Sequence, residues 1–430
     1  MAEAEQRQSP TIIGRFLGGV LRLTEGRLTA AKTDDDILEE MRGHLDLAVD
    51  PQSAELSARA HATAVGRLYL SSRTAVRRGL MHLLLTDYGV ERTTITEAAR
   101  TFLEDPERAD LNVLRDAVTP RRIAFLSRLT SVEGGIKFLV DLRASVLDAA
   151  ASDKTLRPLS DDIQRLLLIW FDLGLLEMRR ITWESPASLL EKLIAYEAVH
   201  EMRSWDDLKG RLGAGRRLYA LFHPNISDEP LIFVQVAFTK GMAPSVDRLI
   251  EKSEPMGEKG FDTAIFYSIS NTQPGLAGIP FGEYLIKQVV DDIRTSEPRV
   301  LNFATLSPIP GLRRWLKDQL PEDTPELDAA SDTTSETALM AQAARYLTTY
   351  DPDRRRALDP VGHFHLSNGA RVERVNWAAD RSERGRAQSF GIMVNYAYDL
   401  DKLDKRKTGY ALDGNISAER MVRDLAKQAG

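Results

Sequence analysis

The sequence predicts an α+β protein in which an α-helical bundle is followed by a mixed α/β domain. At 430 residues, the chain is longer than the size at which single hydrophobic cores stop growing. Apolar residues recur at intervals of three and four over residues 34–168, whereas runs rich in β-branched and aromatic residues are concentrated later. We therefore expect a helical domain over residues 1–168 and a second domain over residues 169–430.

Local signals mark elements within the helical half. Residues 11–28 carry spaced apolar side chains with three arginines, which favours an ordinary amphipathic helix over an organelle presequence because Glu3 and Glu5 lie just upstream. Residues 93–97 place hydroxyl groups before an apolar run and predict a helix start. Ser160 and Asp161 are candidates to cap another helix.

The second half alternates strand and helix signals. We expect a helix to begin at Pro186. Residues 321–337 are polar and acidic and predict an exposed loop. The predicted strands are rich in β-branched and aromatic residues and cover residues 218–222, 231–238, 263–270, 300–307, 372–377 and 390–398.

Composition limits the classes of function. A formal net charge of -6 argues against nucleic acid or an anionic membrane as the main partner. The absence of cysteine excludes disulfides, thiolate ligands and a cysteine nucleophile. The longest apolar run, residues 166–176, contains Asp172 and is too short to cross a bilayer. We expect a soluble protein.

A glycine-bearing loop between two predicted strands is the most informative segment. Gly275, Gly278 and Gly282 precede an amphipathic helix, whose first N–H groups are unpaired and attract anions. The loop lacks the Lys-Ser/Thr ending of a P-loop and the spacing of a dinucleotide fingerprint. An ordinary turn and a phosphate cradle both remain open, although the flanking strand ends favour the cradle.

Serine and histidine side chains near these strands are candidates for chemistry. Ser268, Ser270 and Ser307 end apolar runs, where a serine either faces a cleft or caps the next helix. His363 and His365 alternate, so an extended segment would point both to one face. They could act as an acid/base pair, as metal ligands or as structural residues. Metal is the weaker option, since neither an HExxH helix nor a cysteine accompanies them.

The motifs together resemble the malonyl-CoA decarboxylase family, in matching order and spacing over residues 183–398. The matching segments are Phe266-Tyr-Ser-Ile-Ser270, Thr272-Gln273, Gly275-Leu276, Gly282 with Leu285-Ile-Lys287, Leu306-Ser-Pro-Ile-Pro-Gly311, Phe364-His-Leu366, Asn368-Gly369, Asn376-Trp377, Ala379-Asp380, and Asn395-Tyr396 with Tyr398.

The resemblance implies a fold and a set of site residues. It implies a helical oligomerisation domain joined to a catalytic domain similar to the GCN5-related N-acetyltransferase fold, in which splayed strands admit the pantetheine arm of coenzyme A. The catalytic residues would be Ser307, His365, Ser268 and Tyr398. The substrate-binding residues would be Ser270, Ala277, Gly278, Ile279, Pro280, Phe281, Gly282, Glu283 and Asn368.

The implied reaction converts malonyl-CoA to acetyl-CoA and CO2 in fatty acid metabolism. Loss of CO2 leaves a thioester enolate, so we expect N–H groups near Ser268 to Ser270, with or without a tyrosine hydroxyl, to bind its oxygen. Ser307 would orient the carboxylate or relay a proton, and His365 would protonate the carbon. No metal, biotin or other cofactor is implied. We further expect a cytoplasmic homotetramer, with no redox-controlled disulfide between subunits.

Two other classes of function remain open from the residues. The same fold normally transfers an acyl group from coenzyme A to an amine, and activity that needs an added amine would indicate an N-acyltransferase. A non-catalytic acyl-CoA sensor would bind acetyl-CoA without turnover. The joint presence of Ser307 and His365 favours the decarboxylase.

Overall fold

The chain forms two compact units in a computed structural model. The structure describes residues 32–107, 110–226, 229–250, 260–319 and 333–429. The first unit comprises Met1–Leu176, His223–Ser227 and Gln273–Ile279, and the second comprises Glu177–Phe222, Asp228–Thr272 and Pro280–Gly430. The predicted boundary at residues 168 and 169 stays a prediction.

The first unit is helical. Its α-helices are α1 Asp34–Val49, α2 Glu55–Ser71, α3 Thr74–Thr86, α4 Arg92–Glu104, α5 Leu111–Ala117, α6 Arg122–Leu129, α7 Gly135–Ser152 and α8 Arg157–Trp170.

Caps and buried pairs fix these helices. Thr33 and Asp36 form a capping box at the start of α1, which satisfies two otherwise unpaired N–H groups. Arg122 on α6 and Asp162 on α8 form a buried ion pair at 2.6 Å. Helix α7 buries residues on most of its faces, so it is the central helix of this unit.

The second unit is built on one mixed sheet. Its strands are β1 Glu177–Ile181, β2 Arg216–Phe222, β3 Ile232–Thr239, β4 Thr263–Asn271, β5 Asn302–Thr305, β6 Ser307–Pro308, β9 Arg371–Asn376 and β10 Met393–Tyr398. The strand order is β1-β2-β3-β4-β5-β10-β6, with β9 also paired to β10. A separate hairpin pairs β7 Tyr350–Asp351 with β8 Arg356–Ala357.

Strands β4 and β5 run parallel and pair over only part of their lengths. Their register extends from Thr263 to Phe266 on β4 and from Asn302 to Thr305 on β5. Strand β4 continues to Asn271 while paired to β3. Its edge beyond Phe266 is therefore not covered by β5, which opens the sheet there.

A β-bulge interrupts β4 at the start of this opening. Gln235 of β3 pairs with Ser268, and the next residue, Val236, pairs with Phe266, so Tyr267 is an extra residue. Successive residues of a strand point to opposite faces. The bulge therefore places Ser268 and Phe266 on opposite faces of the sheet, although they are two residues apart.

Helices cover both faces of this sheet. They are α9 Ala187–Tyr196, α10 Trp205–Arg211, α11 Asp247–Ile250, α12 Phe281–Ser296, α13 Leu312–Gln319, α14 Thr333–Thr348, α15 Pro360–Ser367, α16 Glu383–Ser389, α17 Leu403–Asp413 and α18 Arg420–Ala426. One core cluster joins Leu190 and Leu193 of α9 to Leu218 of β2 and Phe233 of β3.

The structure confirms the predicted fold class, a helical region followed by a mixed sheet domain. Each predicted strand has an observed counterpart, and a helix follows Pro186. Helix α4 begins at Arg92, one residue before the predicted start. Among the described residues, no helix is long and apolar enough to cross a membrane.

Three local predictions either differ from the structure or fall partly or wholly outside the described residues. Ser160 and Asp161 lie inside α8 and do not cap it, because the helix starts earlier, with Pro158 in its first turn. Residues 321–332 of the predicted loop lie outside the described residues, and residues 333–337 begin α14. Residues 11–28 also lie outside the described part of the chain.

Candidate active site

Ser307, His365 and Tyr398 form one continuous hydrogen-bonded chain. The Ser307 hydroxyl lies 3.1 Å from Nε2 of His365, and the Tyr398 hydroxyl lies 2.8 Å from its Nδ1. Ser307 begins β6, His365 lies on α15, and Tyr398 ends β10. All three side chains are buried. The structure thus brings together three of the four predicted catalytic residues.

Thr305 extends the chain beyond Ser307. The Ser307 hydroxyl donates to Oγ1 of Thr305 at 2.9 Å, and the same oxygen accepts the backbone N–H of Tyr396 at 3.3 Å. Because the serine proton points to Thr305, Nε2 of His365 donates to Ser307 and Nδ1 accepts from Tyr398. This pattern corresponds to a neutral imidazole with its proton on Nε2.

Burial determines the protonation states of His365 and Tyr398 in this hydrogen-bonded series. Desolvation lowers the pKa of His365 to about 3, because a buried imidazolium loses its hydration. Burial raises the pKa of Tyr398, with a smaller contribution from Glu283. At neutral pH the free protein therefore holds a neutral imidazole and a protonated phenol.

The start of helix α15, which carries His365, is fixed by capping residues. Asp359 caps α15, and Pro360 occupies its first turn. Asn368 follows the last residue of α15, and its Nδ2 is buried with no hydrogen-bond partner among the described residues. That N–H group is free to donate to a bound molecule.

The expectation that His363 and His365 share one face is wrong. They lie on a helix, where residues two apart point in different directions. Nδ1 of His363 lies 2.8 Å from the Tyr410 hydroxyl, away from the serine. The capping signal of Asp359 and Pro360 outweighs the alternating pattern that suggested an extended segment.

Ser268 and Ser270 belong to a different polar cluster, centred on Glu197. The Ser268 hydroxyl donates to both oxygens of Glu197, at 2.8 and 2.9 Å, and the Ser270 hydroxyl donates at 3.2 Å. Gln235 also donates to this carboxylate. The two hydroxyls are therefore engaged by a neighbouring carboxylate.

The two clusters lie on opposite faces of the sheet. Phe266 pairs with Thr305 across the parallel strands, and Thr305 contacts Ser307 through its side chain. Ser307 therefore lies on the Phe266 face, and the bulge places Ser268 on the other. Ser268, the fourth predicted catalytic residue, does not contact the Ser307 chain.

The glycine loop is held by helices of the first unit. Arg143 of α7, which is only 3% exposed, donates to the backbone oxygens of Gly275 at 2.6 Å and Ala277 at 2.8 Å. Gln164 of α8 accepts from Arg143 and donates to the Gly278 oxygen at 3.2 Å. These contacts fix the carbonyl side of the loop.

Two glycines of this loop have a steric requirement. A Cβ atom on Gly275 would lie 1.8 Å from the Val140 backbone oxygen, so only glycine permits this approach to α7. Gly278 has φ of +79°, a conformation that side chains disfavour. Ile279 is buried, and its N–H donates to the Leu276 oxygen within the loop.

The predicted helix after the glycine loop is observed in the second unit, and anion binding at its start stays a prediction. Pro280 precedes α12, which begins Phe281-Gly-Glu283, and the first N–H groups of a helix have no partners within it. Glu283 pairs with Lys407 at 2.6 Å. A Cβ atom on Gly282 would lie 2.7 Å from the Phe364 ring, next to His365.

Sequence reasoning missed Glu197, Thr305 and Arg143. Glu197 lies 71 residues before Ser268, and Arg143 lies 132 residues before Gly275, so no local pattern pairs them. Thr305 was recognised only as part of a strand. The described residues hold no group of three or more side chains arranged to bind a metal ion.

Comparison with known proteins identifies the family. The malonyl-CoA decarboxylase C-terminal domain matches residues 174–430, and the malonyl-CoA decarboxylase N-terminal domain matches residues 88–171. The chain belongs to the malonyl-CoA decarboxylase family.

Relatives support this assignment over most of the chain. Mitochondrial malonyl-CoA decarboxylase of Anser anser anser is 33% identical over 414 residues, covering 84% of this chain and 82% of the relative. The Rattus norvegicus protein is 31% identical over 409 residues, covering 83% of each. The crystal structure of malonyl-CoA decarboxylase from Rhodopseudomonas palustris matches with a TM-score of 0.81 and 37% identity, covering 91% of this chain and 100% of that one.

Proposed function

We propose that this protein is a carboxy-lyase that converts malonyl-CoA to acetyl-CoA and CO2. The observation that carries the proposal is the buried chain of Ser307, His365 and Tyr398, which supplies a proton path in a site from which water is largely excluded. Family membership supports the choice of substrate, because the relatives are named for it.

The reaction moves one electron pair and consumes one proton. The C–C bond to the carboxylate breaks, CO2 leaves, and the electron pair enters the thioester as an enolate. Backbone N–H groups on the uncovered edge of β4, near Ser268 to Ser270, would stabilise the enolate oxygen. The opening beside β5 is where a thioester can reach that edge.

The proton reaches carbon through His365 and Ser307. His365 is neutral in the free protein, and the malonyl carboxylate adds the negative charge that favours proton uptake by the ring. As CO2 leaves, the Ser307 hydroxyl gives its proton to carbon and receives another from Nε2. The Tyr398 hydroxyl donates to Nδ1 when His365 is neutral and accepts from the Nδ1 N–H when His365 is protonated. It can therefore hydrogen-bond to both protonation states of the ring.

A covalent acyl-serine route has less support. A covalent route would require the imidazole to take the Ser307 proton before CO2 leaves, a step that the proposed route does not use. Decarboxylation also requires no acyl transfer to the protein. Detection of an acyl adduct on Ser307 by mass spectrometry would revive this route.

The loop and helix start would hold coenzyme A. Gly278, Gly282 and Glu283 would bind its pyrophosphate through backbone N–H groups. The N–H groups of Ala277 and Ile279 donate within the loop and Pro280 has none, so these three residues and Phe281 would shape the site. The free amide of Asn368 would donate to the acyl part of the substrate, and Ser270 would bind it from the Glu197 side. No metal or other cofactor is required by this route.

We also propose that the protein is a homotetramer in the cytoplasm. Exposed apolar side chains on the first unit, such as Leu103 and Leu111, support self-association. The mass under native conditions would test the tetramer, and cell fractionation would test the compartment.

The decisive experiment measures acetyl-CoA and CO2 formation by the purified, metal-stripped protein. Rapid conversion is expected for the wild type, with losses of at least about a hundredfold in Ser307→Ala and His365→Asn. His363→Asn is the matched control, because His363 lies on the same helix but contacts Tyr410. Binding of malonyl-CoA without turnover would indicate a sensor, and turnover that needs an added amine would indicate an N-acyltransferase.

A further inference from the structure

Asp359 is a buried carboxyl group with an unused oxygen beside the proposed active site. It is 0% exposed, and its Oδ2 accepts the Gly362 N–H at 2.6 Å as the cap of α15. Its Oδ1 has no hydrogen-bond partner among the described residues. An asparagine would cap the helix about as well. The cap alone therefore does not require a carboxylate.

The Tyr396 hydroxyl is the matching unused donor. It is buried and has no hydrogen-bond partner in the described part of the chain. A Cβ atom on Gly362 would lie 2.9 Å from this hydroxyl and 3.5 Å from Oδ2 of Asp359. The Asp359 carboxyl group, through its bonded oxygen Oδ2, and the Tyr396 hydroxyl thus both approach Gly362, where the absence of a side chain leaves room between them.

Tyr396 connects this pair to His365. The two rings stack with centroids 4.6 Å apart and an interplanar angle of 30°. His365 is held on its two nitrogens by Ser307 and Tyr398, so Tyr396 supports the ring from its face. Asp359 is therefore connected to the face of the imidazole through Tyr396, and not to either ring nitrogen.

The surroundings of Asp359 are neutral on most sides. Tyr396 of β10 and Tyr346 of α14 interact with it electrostatically. The other titratable or charged groups around α15 are His363 on the helix itself, Tyr398 of β10, Tyr410 of α17, and Arg356 of β8. None of the cations in the described residues forms an ion pair with Asp359.

Keeping this carboxylate ionised costs stability. Burial raises the pKa of Asp359 to about 7, and its backbone hydrogen bonds oppose the shift. Its folded-state pKa lies above the unfolded value, so the stability it contributes is complete below about pH 4 and is lost as pH rises through about 7. A residue that costs stability at neutral pH points to a functional use.

We infer that Asp359 is a positioning residue whose carboxylate acts through Tyr396 to favour the protonated imidazole of His365. This inference rests on the proposed function, in which His365 is protonated during turnover. Burial disfavours protonation of the His365 imidazole. A nearby negative charge favours the protonated ring and so offsets part of this effect. Asp359 would be the fixed charge and the malonyl carboxylate the transient one.

The test replaces the charge while keeping the cap. Asp359→Asn is expected to lower kcat about tenfold above pH 7, corresponding to a change of one unit in the pKa of His365. The wild-type kcat should rise with pH through about 7, and this rise should be absent in the variant. NMR titration of His365 in the presence of a non-decarboxylating malonyl thioester analogue should show a pKa lowered by the substitution.

Stability separates this role from a purely structural one. Asp359→Asn should be at least as stable as the wild type at pH 8, and the stability gap should close toward pH 5. Unchanged kcat and unchanged His365 titration would overturn the inference, as would a loss of kcat that follows loss of folded protein. If Asp359→Asn does not fold, Tyr396→Phe provides the NMR comparison, and an unshifted His365 titration there would also overturn it.

The experiments distinguish failure of the proposed decarboxylase function from failure of the positioning role of Asp359. If the wild-type protein does not decarboxylate malonyl-CoA, the proposed function fails irrespective of Asp359. If the wild type is active and Asp359→Asn matches it at every pH, only the positioning role fails. The matched control is His363→Asn, which alters a histidine on the same helix that contacts Tyr410 and should preserve the pH profile.

Discussion

Replacing Arg143 with methionine should weaken binding of coenzyme A thioesters with a smaller effect on the chemical step. Methionine can fill much of the space but donates no hydrogen bond. Arg143 donates to the oxygens of Gly275 and Ala277, and hydrogen bonds to charged groups contribute about 1.5–3 kcal/mol each. Losing both contacts would destabilise the observed loop conformation by ~3 kcal/mol, if each hydrogen bond contributes the lower value of that range.

That free energy converts directly into affinity. A loop that must be reordered on binding at a cost of ~3 kcal/mol gives a Kd about a hundredfold higher. We expect KM for malonyl-CoA to rise by about this factor, and kcat to fall less than tenfold. Arg143→Lys keeps the charge but has a shorter reach and should fall between the two proteins.

A truncated substrate isolates the effect. Malonyl-pantetheine lacks the pyrophosphate that the loop would hold, so its kcat/KM should be nearly the same in wild type and Arg143→Met. Circular dichroism and thermal unfolding would show whether the helical unit is intact. An intact variant with wild-type KM for malonyl-CoA would refute the reasoning, as would equal losses with both substrates.

The remaining predictions concern single contacts. Gly275→Ala should destabilise the protein by more than about 2 kcal/mol in a denaturant titration, because its Cβ would lie 1.8 Å from the Val140 oxygen; wild-type stability would show that the loop does not seat on α7. Gly282→Ala should lower kcat by displacing the Phe364 ring, and normal kinetics would show that the ring adjusts freely. Glu197→Ala should lower kcat/KM at least tenfold by freeing two serines and Gln235, whereas Glu197→Gln should recover part of it; equal loss in both would refute the acceptor role. Dialysis against a chelator should leave kcat unchanged, and restoration of lost activity by a metal ion would contradict the mechanism.

Much of the fold was readable from the sequence because its elements carry strong local signals. The strand around Ile232–Thr239 is an apolar and β-branched run interrupted only by Gln235, as expected for a strand buried on both faces. The loop between Asn271 and Phe281 is marked by Gly275, which the close approach to α7 requires, and by Gly278, which has a positive φ. Such features depend on neighbours in the sequence.

The candidate site was only partly predictable. Ser307, His365 and Tyr398 were named through family motifs, and their contact depends on β10 lying between β5 and β6, which no local pattern specifies. Glu197 follows α9 and looks like an ordinary surface acid until the sheet brings Ser268 to it. The alternating His363 and His365 were misread because side-chain periodicity was given more weight than the Asp359 cap.

The bulge at Tyr267 makes the sheet carry two chemically separate groups along almost the same stretch of β4. Without the extra residue, Ser268 would lie in phase with Phe266 and share a face with Ser307. Glu197 and His365 are instead shielded from each other by the sheet. Substitutions in the two groups should therefore combine additively in their effects on stability, so either side of the sheet can be altered without retuning the other.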